Sequence, residues 1–337
     1  MTIRIHSDQS LVAPGEAHVV MLYPFWGKNP EDPADPNSGR FDRYAETGAA
    51  LFELTALDDA DLAVFPVGWS ETAAPAVESF VESARTAGKP AAVFIGADEH
   101  KTVPHERALV FQTSLLGSHR GSNEYAQPAW SEDFVTAHLG GRLPIRRRGR
   151  RPVVGFCGLA PSRRGLLNRL RAHPTHTTIR ARALRLLSDH QGVETNFVER
   201  ERFLGGAIRR GRLDLTAMRR VREEYVRNMV ESDYILCSRG AGNFSYRLYE
   251  TLSCGRIPVF VDTDCVLPYD FVAPWREHLV WVDESELASL GDRVAAFHEA
   301  LSDREFEDLQ RSCRRLWDEY IAPEGFFTRF HEHLARA

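Results

Sequence analysis

Apolar runs and amphipathic stretches alternate along the whole chain. The run HVVMLYPFW, 18–26, predicts an opening strand. It is followed by KNPEDPADPNSGRFDR, which is too polar and proline-rich for the interior of an element. Residues 44–57 have helical spacing. DADLAVFPVGW, 59–69, is a short apolar run after an Asp-rich turn and predicts a strand of a parallel sheet covered on both faces. APAVESFVESARTA, 74–87, predicts a helix closed by Gly88, and KPAAVFIGADEH, 89–100, and ALVFQTSL, 108–115, predict two more strands. The pattern then restarts. RPVVGFCGLAPSRRGLLNRL, 151–170, predicts strand, turn and helix, and TNFVER, 195–200, a strand. MRRVREEYVRNMVESD, 218–233, is an amphipathic helix leading into the strand YILCSRG, 234–240. NFSYRLYETLSCG, 243–255, predicts a helix stopped by Gly255, and IPVFVDTD, 257–264, a strand. Helices are predicted over 285–301 and 303–320, with a short one over 326–335. Alternation of this kind predicts doubly wound α/β sheets. GGRLPIRRRGRRP, 140–152, reads as a linker. The expected organisation is an N-terminal domain over 1–145, a second over 146–320, and a C-terminal helix over 321–337 that crosses back to the first. A ligand is expected at the carboxyl ends of the strands, between the domains.

The length of 337 residues agrees with two domains. A composition that is 43% hydrophobic and 26% charged excludes a disordered tail, a collagen-like repeat and a small disulfide scaffold. No apolar run approaches the ~20 residues that span a bilayer. The first residues lack the apolar core of a secretory signal, so a cytoplasmic location is expected, with contact at a membrane surface left open. Cys157, Cys237, Cys254, Cys265 and Cys313 are widely spaced and form no CxxC, which predicts reduced thiols. The net charge of −5 is unevenly placed: −11 over 1–139, +15 over 140–221 and −9 over 222–337. A basic block between acidic flanks suggests an anionic partner, either phosphate or nucleic acid. Within 140–152 there is no aromatic residue for base stacking, which argues against nucleic acid. A solvated helix face with a basic linker accounts for any single arginine.

The most informative stretch is 234–282, YILCSRGAGNFSYRLYETLSCGRIPVFVDTDCVLPYDFVAPWREHLVWV. A buried strand delivers Ser238, Arg239 and Gly240 to a loop whose two glycines let backbone amides approach a ligand. A helix begins near Asn243 to Ser245, and its free N–H groups and positive dipole end suit a phosphate. Arg247, in the first turn, adds a bidentate donor. Glu250, three residues on, shares its face and could accept both hydroxyls of a ribose. Tyr246 either flanks a base or belongs to the core. Arg163 and Arg164, after GLAPS, are a second pair of diphosphate donors or an exposed helix pair. The set points to a nucleoside diphosphate; the alternative is a capped helix with an Arg–Glu surface pair.

The same stretch resembles the exostosin (GT47) family of glycosyltransferases. The family pattern S-x-R-x-x-E-x-x-x-x-G-x-I-P-V, followed by acidic residues, L-P and W, is matched by Ser245, Arg247, Glu250, Gly255, Ile257, Pro258, Val259, Asp262, Asp264, Leu267, Pro268 and Trp275. DDADLAVFPV, 58–67, and RRPVVGFCG, 150–158, agree more weakly. The resemblance implies an α/β GT-B fold, with two Rossmann-like doubly wound domains facing across a cleft. The second domain would hold the nucleotide-sugar donor and the first the acceptor. It implies inverting transfer, commonly from a UDP-sugar, to a glycan or small-molecule hydroxyl, as in building a bacterial-type surface polysaccharide. Unlike the animal members, the chain is expected to carry neither a membrane anchor nor a second catalytic domain. The catalytic base should come from the first domain, where GADEH and SNEYAQPAWSED offer Asp98, Glu99 and Glu124 first, with His100, Glu132 and Asp133 behind them. Asp262-Thr263-Asp264 imitates a metal-binding D-x-D, but its flanking order is that of GT-B, so no metal is expected. Neither GxGxxG nor a Walker loop occurs. Three alternatives stay open: a GDP-sugar donor, as in fucosyltransferase families with related helix motifs, a non-catalytic polyanion- or RNA-binding protein using the 140–221 block, and a degenerate, non-catalytic glycan-binding relative. No oligomeric state is read from the sequence.

Overall fold

Two parallel sheets carry the molecule. In the computed structural model, residues 2–32, 35, 37–103, 108–160, 176–209 and 212–336 are described. The first sheet contains β1 (Ile3–His6), β2 (Phe52–Leu54), β3 (Leu62–Val64), β4 (Ala91–Ile95), β5 (Ala108–Gln112) and β6 (Glu124–Ala126), in the order β2-β1-β3-β4-β5-β6. The second contains β7 (Val153–Leu159) and β8 (Glu194–Arg200); a small hairpin, β9 (Ile208–Arg209) and β10 (Arg212–Leu213), stands apart from it. Its remaining strands are β11 (Tyr234–Cys237), β12 (Ile257–Asp262) and β13 (Val280–Asp283), in the order β13-β12-β11-β7-β8. Every pairing within the two large sheets is parallel. Each sheet grows outward in both directions from its first strand, so the order reverses beside β1 in one and beside β7 in the other. Parallel strands need helical crossovers, and these cover both faces. The central strands β4 and β5 are accordingly buried at every residue.

The opening run departs from expectation. Residues 18–26 form no strand: Val20–Leu22 is a 3-10 turn running into the helical turn Tyr23–Trp26. Pro24 lacks a ladder donor but suits the first turn of a helix. The first strand is the earlier Ile3–His6, whose Ile3 and Ile5 are buried while Arg4 is exposed. The helical spacing over 44–57 resolves into a helix, Asp42–Thr47, then a 3-10 turn and β2. In the second half, the helix predicted to follow β7 lies outside the described residues. The helix expected from 243 spans Tyr246–Ser253 and ends before Gly255 at φ +61°, where a Cβ would meet the Gln310 carbonyl at 2.8 Å.

The C-terminal helices cross back onto the first sheet. Phe327 stacks on Tyr44 at 4.6 Å, and Phe330 packs against Phe111 at 5.0 Å. One continuous apolar cluster therefore joins residues of both sheets. The linker arginines are absorbed into the same frame. Arg146 donates to the buried Asp233 at 2.6 Å, Arg148 to the His298 carbonyl, and Arg151 pairs with Glu194. All five cysteines are free. Among the described residues no helix is long and apolar enough to cross a membrane.

Candidate active site

Ligands of doubly wound sheets bind where the strand order reverses, at the carboxyl ends. In the second sheet that place lies between β7 and β11, and two guanidiniums occupy it. Arg247, one residue into its helix, turns back over the Phe156 ring at 4.3 Å and donates to the Cys157 carbonyl at 2.9 Å. Gly158 permits this approach, since a Cβ there would lie 2.7 Å from Arg247 Nη2. Arg180, from the helix His176–Asp189, reaches the same ring at 5.8 Å. It donates to Leu159 O at 3.0 Å, to Arg239 O at 3.0 Å and to Ser238 Oγ at 3.3 Å. These acceptors are carbonyl and hydroxyl oxygens, not carboxylates. Arg247 Nε is buried with no partner, as is Nε of Arg239 on the adjoining loop. Burial, with the charge of Arg247 added, lowers the Arg180 pKa to about 10. Two like charges held together in a half-buried place are costly until an anion joins them. Residues 161–175, which follow β7, contain Arg163, Arg164, Arg169 and Arg171 and no acid; they lie outside the described residues, Arg163 and Arg164 included.

The other expected donor residues divide between the ligand side and the frame. Gly240 has open space where a Cβ would be, whereas at Gly242 it would lie 2.7 Å from the Asp98 carbonyl. Gly242 thus lets the two halves approach closely at this point. Asn243 is fully engaged: its N–H donates to Ser114 Oγ, its Nδ2 to the Asp264 carbonyl, and its Oδ1 accepts from Thr263. Ser245 is the buried N-cap residue and makes no side-chain cap. Tyr246 is 49% exposed and faces the interdomain cleft. Burial opposes the charge of Arg247, but Tyr225, Cys237 and Glu250 raise its pKa on balance, so Glu250 stays an electrostatic neighbour without a direct hydrogen bond to it. Glu250 is buried, accepting from Tyr225 Oη at 2.5 Å and Arg222 Nη1 at 3.3 Å. Arg222 also grips Glu132, from the segment that leaves the first sheet. Arg180, Arg222 and Tyr225 were not identifiable from sequence, because nothing in an amphipathic helix marks which polar residue turns inward.

The cleft between the sheets measures about 370 Å³. It is lined by the carboxyl-end loops of the first sheet, Gly68, Gly96 to Asp98, Thr113 and Gln127, facing Phe244 and Tyr246. Of the base candidates, Asp98 lines this cleft. Glu99 points outward to Lys101 at 3.2 Å. Glu124 is buried in β6, accepting from Gln112 and from the Gly121 N–H at 2.8 Å. The Tyr246 hydroxyl pKa is raised by burial, with Asp98 adding and Arg40 opposing. Asp262 and Asp264 work inside the fold. Asp262 accepts from the Cys265 N–H, and Asp264, at φ +67°, accepts from Ser118 Oγ at 2.6 Å across the domain boundary. Among the described residues no cluster of three or more histidine, cysteine or acidic side chains could hold a metal.

Two parallel α/β sheets with their carboxyl ends turned to a common cleft make a GT-B-like fold, an architecture of glycosyltransferases. Residues 147–297 match the family model "Exostosin GT47 domain". The chain is similar to Exostosin-1 of Drosophila melanogaster, 30% identical over 100 residues, which is 30% of this chain and 13% of that protein. It is similar to a probable glucuronosyltransferase of Oryza sativa subsp. japonica, 39% identical over 66 residues, 20% of this chain and 15% of the relative. A probable beta-1,4-xylosyltransferase of Arabidopsis thaliana is 36% identical over 66 residues, covering 20% and 16%. The matches thus span under a fifth of the length of these relatives.

Proposed function

We propose that the protein is an inverting glycosyltransferase that moves a sugar from a nucleoside diphosphate-sugar, most simply a UDP-sugar, to a hydroxyl of an acceptor in the cleft. The observation that carries this reading is the pair Arg180 and Arg247 over Phe156 at the switch point, neither of them hydrogen-bonded to a carboxylate among the described residues. In the proposed reaction the acceptor oxygen attacks the anomeric carbon as the bond to the diphosphate oxygen breaks. Asp98 takes the hydroxyl proton, and Arg180, Arg247 and Arg239 stabilise the departing diphosphate. Gly240 leaves room for the phosphates, and Tyr246 borders the space between donor and acceptor. Glu250 we assign to holding Arg222 and Tyr225 in place, since both its oxygens are already engaged there. The names of the relatives, glucuronosyl- and xylosyltransferases, agree with a sugar donor of this kind. Five unbridged cysteines support a reducing compartment such as the cytoplasm.

The test is thermal unfolding with UDP, GDP, dTDP and CMP. A bound nucleotide raises the midpoint by mass action. UDP is expected to give the largest shift and CMP, with one phosphate, little. A larger shift with GDP would move the donor to a GDP-sugar. If none of the four raises the midpoint, the transferase reading fails.

A further inference from the structure

Aromatic rings wall the cleft between the sheets. On the side of the first sheet Tyr23 meets Phe41 edge-on at 5.4 Å, Phe41 meets Trp130 at 5.7 Å, and Trp130 stacks on Phe327 at 5.9 Å. All four line the space, and Phe244 and Tyr246, ring centroids 5.5 Å apart, face it from the second half. Val19, Met21, Ala97 and Pro128 add apolar surface among the rings. A volume of about 370 Å³ lies within the range of small-molecule pockets.

Most polar side chains of the lining are already spent inside the protein. Asn29 donates to the His18 carbonyl at 2.8 Å and to Tyr23 Oη at 3.0 Å, and its Oδ1 accepts from the His18 N–H. The His18 ring donates through Nε2 to the Gly27 carbonyl at 2.9 Å. Gln127 and Thr113 both donate to the Ile95 carbonyl. Arg40 donates to the Asn37 carbonyl at 2.9 Å, with its guanidinium 4.7 Å over the Phe41 ring. The side chains of Asp98 and Tyr246 make no hydrogen bond among the described residues, and both residues are exposed.

An aromatic wall stacks on the face of a sugar as readily as on that of an arene, so the edge of the acceptor ring decides between them. A sugar carries a hydroxyl on almost every carbon, and each one buried without a partner is costly. An arene with one hydroxyl has an apolar edge that suits Val19, Met21 and Ala97, and it needs a single polar partner, which Asp98 supplies.

We propose that the acceptor is a phenol of one or two fused rings, and not a glycan. The phenol oxygen bonds to the anomeric carbon of the UDP-sugar as the bond from that carbon to the diphosphate oxygen breaks. The phenolic proton passes to Asp98, and UDP leaves. The proposal rests on the transferase reading.

The test is calorimetric binding of 4-methylumbelliferone to the full chain, with and without UDP, against cellobiose and xylobiose as glycan controls. The phenol should bind at least tenfold more tightly than either disaccharide. Gly96→Leu fills the cleft from an exposed position where a Cβ meets no atom within 4 Å. It should lower phenol affinity tenfold or more and leave UDP affinity unchanged. Tyr246→Ala, which removes an exposed ring of the wall, should also weaken the phenol. A disaccharide that binds as tightly as the phenol, no phenol binding, or a phenol affinity that survives either variant overturns the proposal. UDP titrated into the unaltered protein keeps the two readings apart. UDP bound without the phenol removes the phenolic acceptor alone, whereas failure to bind UDP removes the transferase and the acceptor role with it.

Discussion

At the scale of single residues the site is a matter of which charges are left uncompensated. Asp98 lines the cleft, and the proposed mechanism has its carboxyl take the acceptor proton there. Asp98→Asn is expected to lower the rate of transfer by about 10²–10⁴ while UDP affinity is kept; a rate unchanged at saturating donor and acceptor would remove Asp98 from the mechanism. His333 shows the opposite use of a titratable side chain. It is fully buried among Tyr125, Tyr269 and Phe111, neither ring nitrogen has a partner, and burial lowers its pKa to about 3. The unfolded chain binds this proton near pH 6.5 and the folded chain does not. Stability is therefore complete above about pH 6.5 and falls as the pH drops towards 3, by ~1.4 kcal/mol per unit. Between pH 7 and pH 5, denaturant titration should show a loss about 2 kcal/mol smaller for His333→Phe than for the unaltered protein. Little of this was legible in the sequence. The loop Ser238–Gly240 and Arg247 stood out because a strand, two glycines and a helix start form a pattern. Arg180 did not, because its role exists only once the fold brings residues 156, 180 and 247 together.

At the scale of elements, most of the strands that the sequence predicted are buried on both faces, the half-exposed edge strand β8 being the exception. β3, β4, β5, β11 and β12 are nearly continuous apolar runs because helices cover each side. β1 was missed because four alternating residues carry little signal, and 18–26 was misread because a short apolar run fits a buried helical turn equally well. The Asp262–Asp264 turn shows how one element acquires a role that its motif does not announce. Asp264 accepts from the Ser118 N–H and hydroxyl, and its carbonyl accepts from the Gly117 N–H, tying a loop of the first half to the turn after β12. Asp264→Ala should lower stability by about 1–3 kcal/mol in chemical denaturation. EDTA should leave transfer unchanged, and an absolute requirement for added manganese would return these aspartates to a metal site.

At the scale of the molecule, two sheets of like strand order meet at their carboxyl ends and are braced by polar contacts. Arg222 with Glu132, Arg314 with Asp133, and Arg120 with Asp270 at 2.6 Å all cross from one half to the other. The alternation of strands and helices made this two-sheet plan legible from sequence. The return of Phe326, Phe327 and Phe330 to the first sheet shows in the sequence only as a short apolar helix near the end. The plan sets Arg180 and Arg247 at the mouth of β7, and the central claim is that they hold a diphosphate. Calorimetric titration of UDP against uridine, repeated with Arg180→Ala and Arg247→Ala, tests that claim most directly. The account predicts that UDP binds at least tenfold more tightly than uridine, and that each variant loses most of this difference with its circular dichroism unchanged. Equal affinities for UDP and uridine, or a UDP affinity that both variants leave intact, would contradict it.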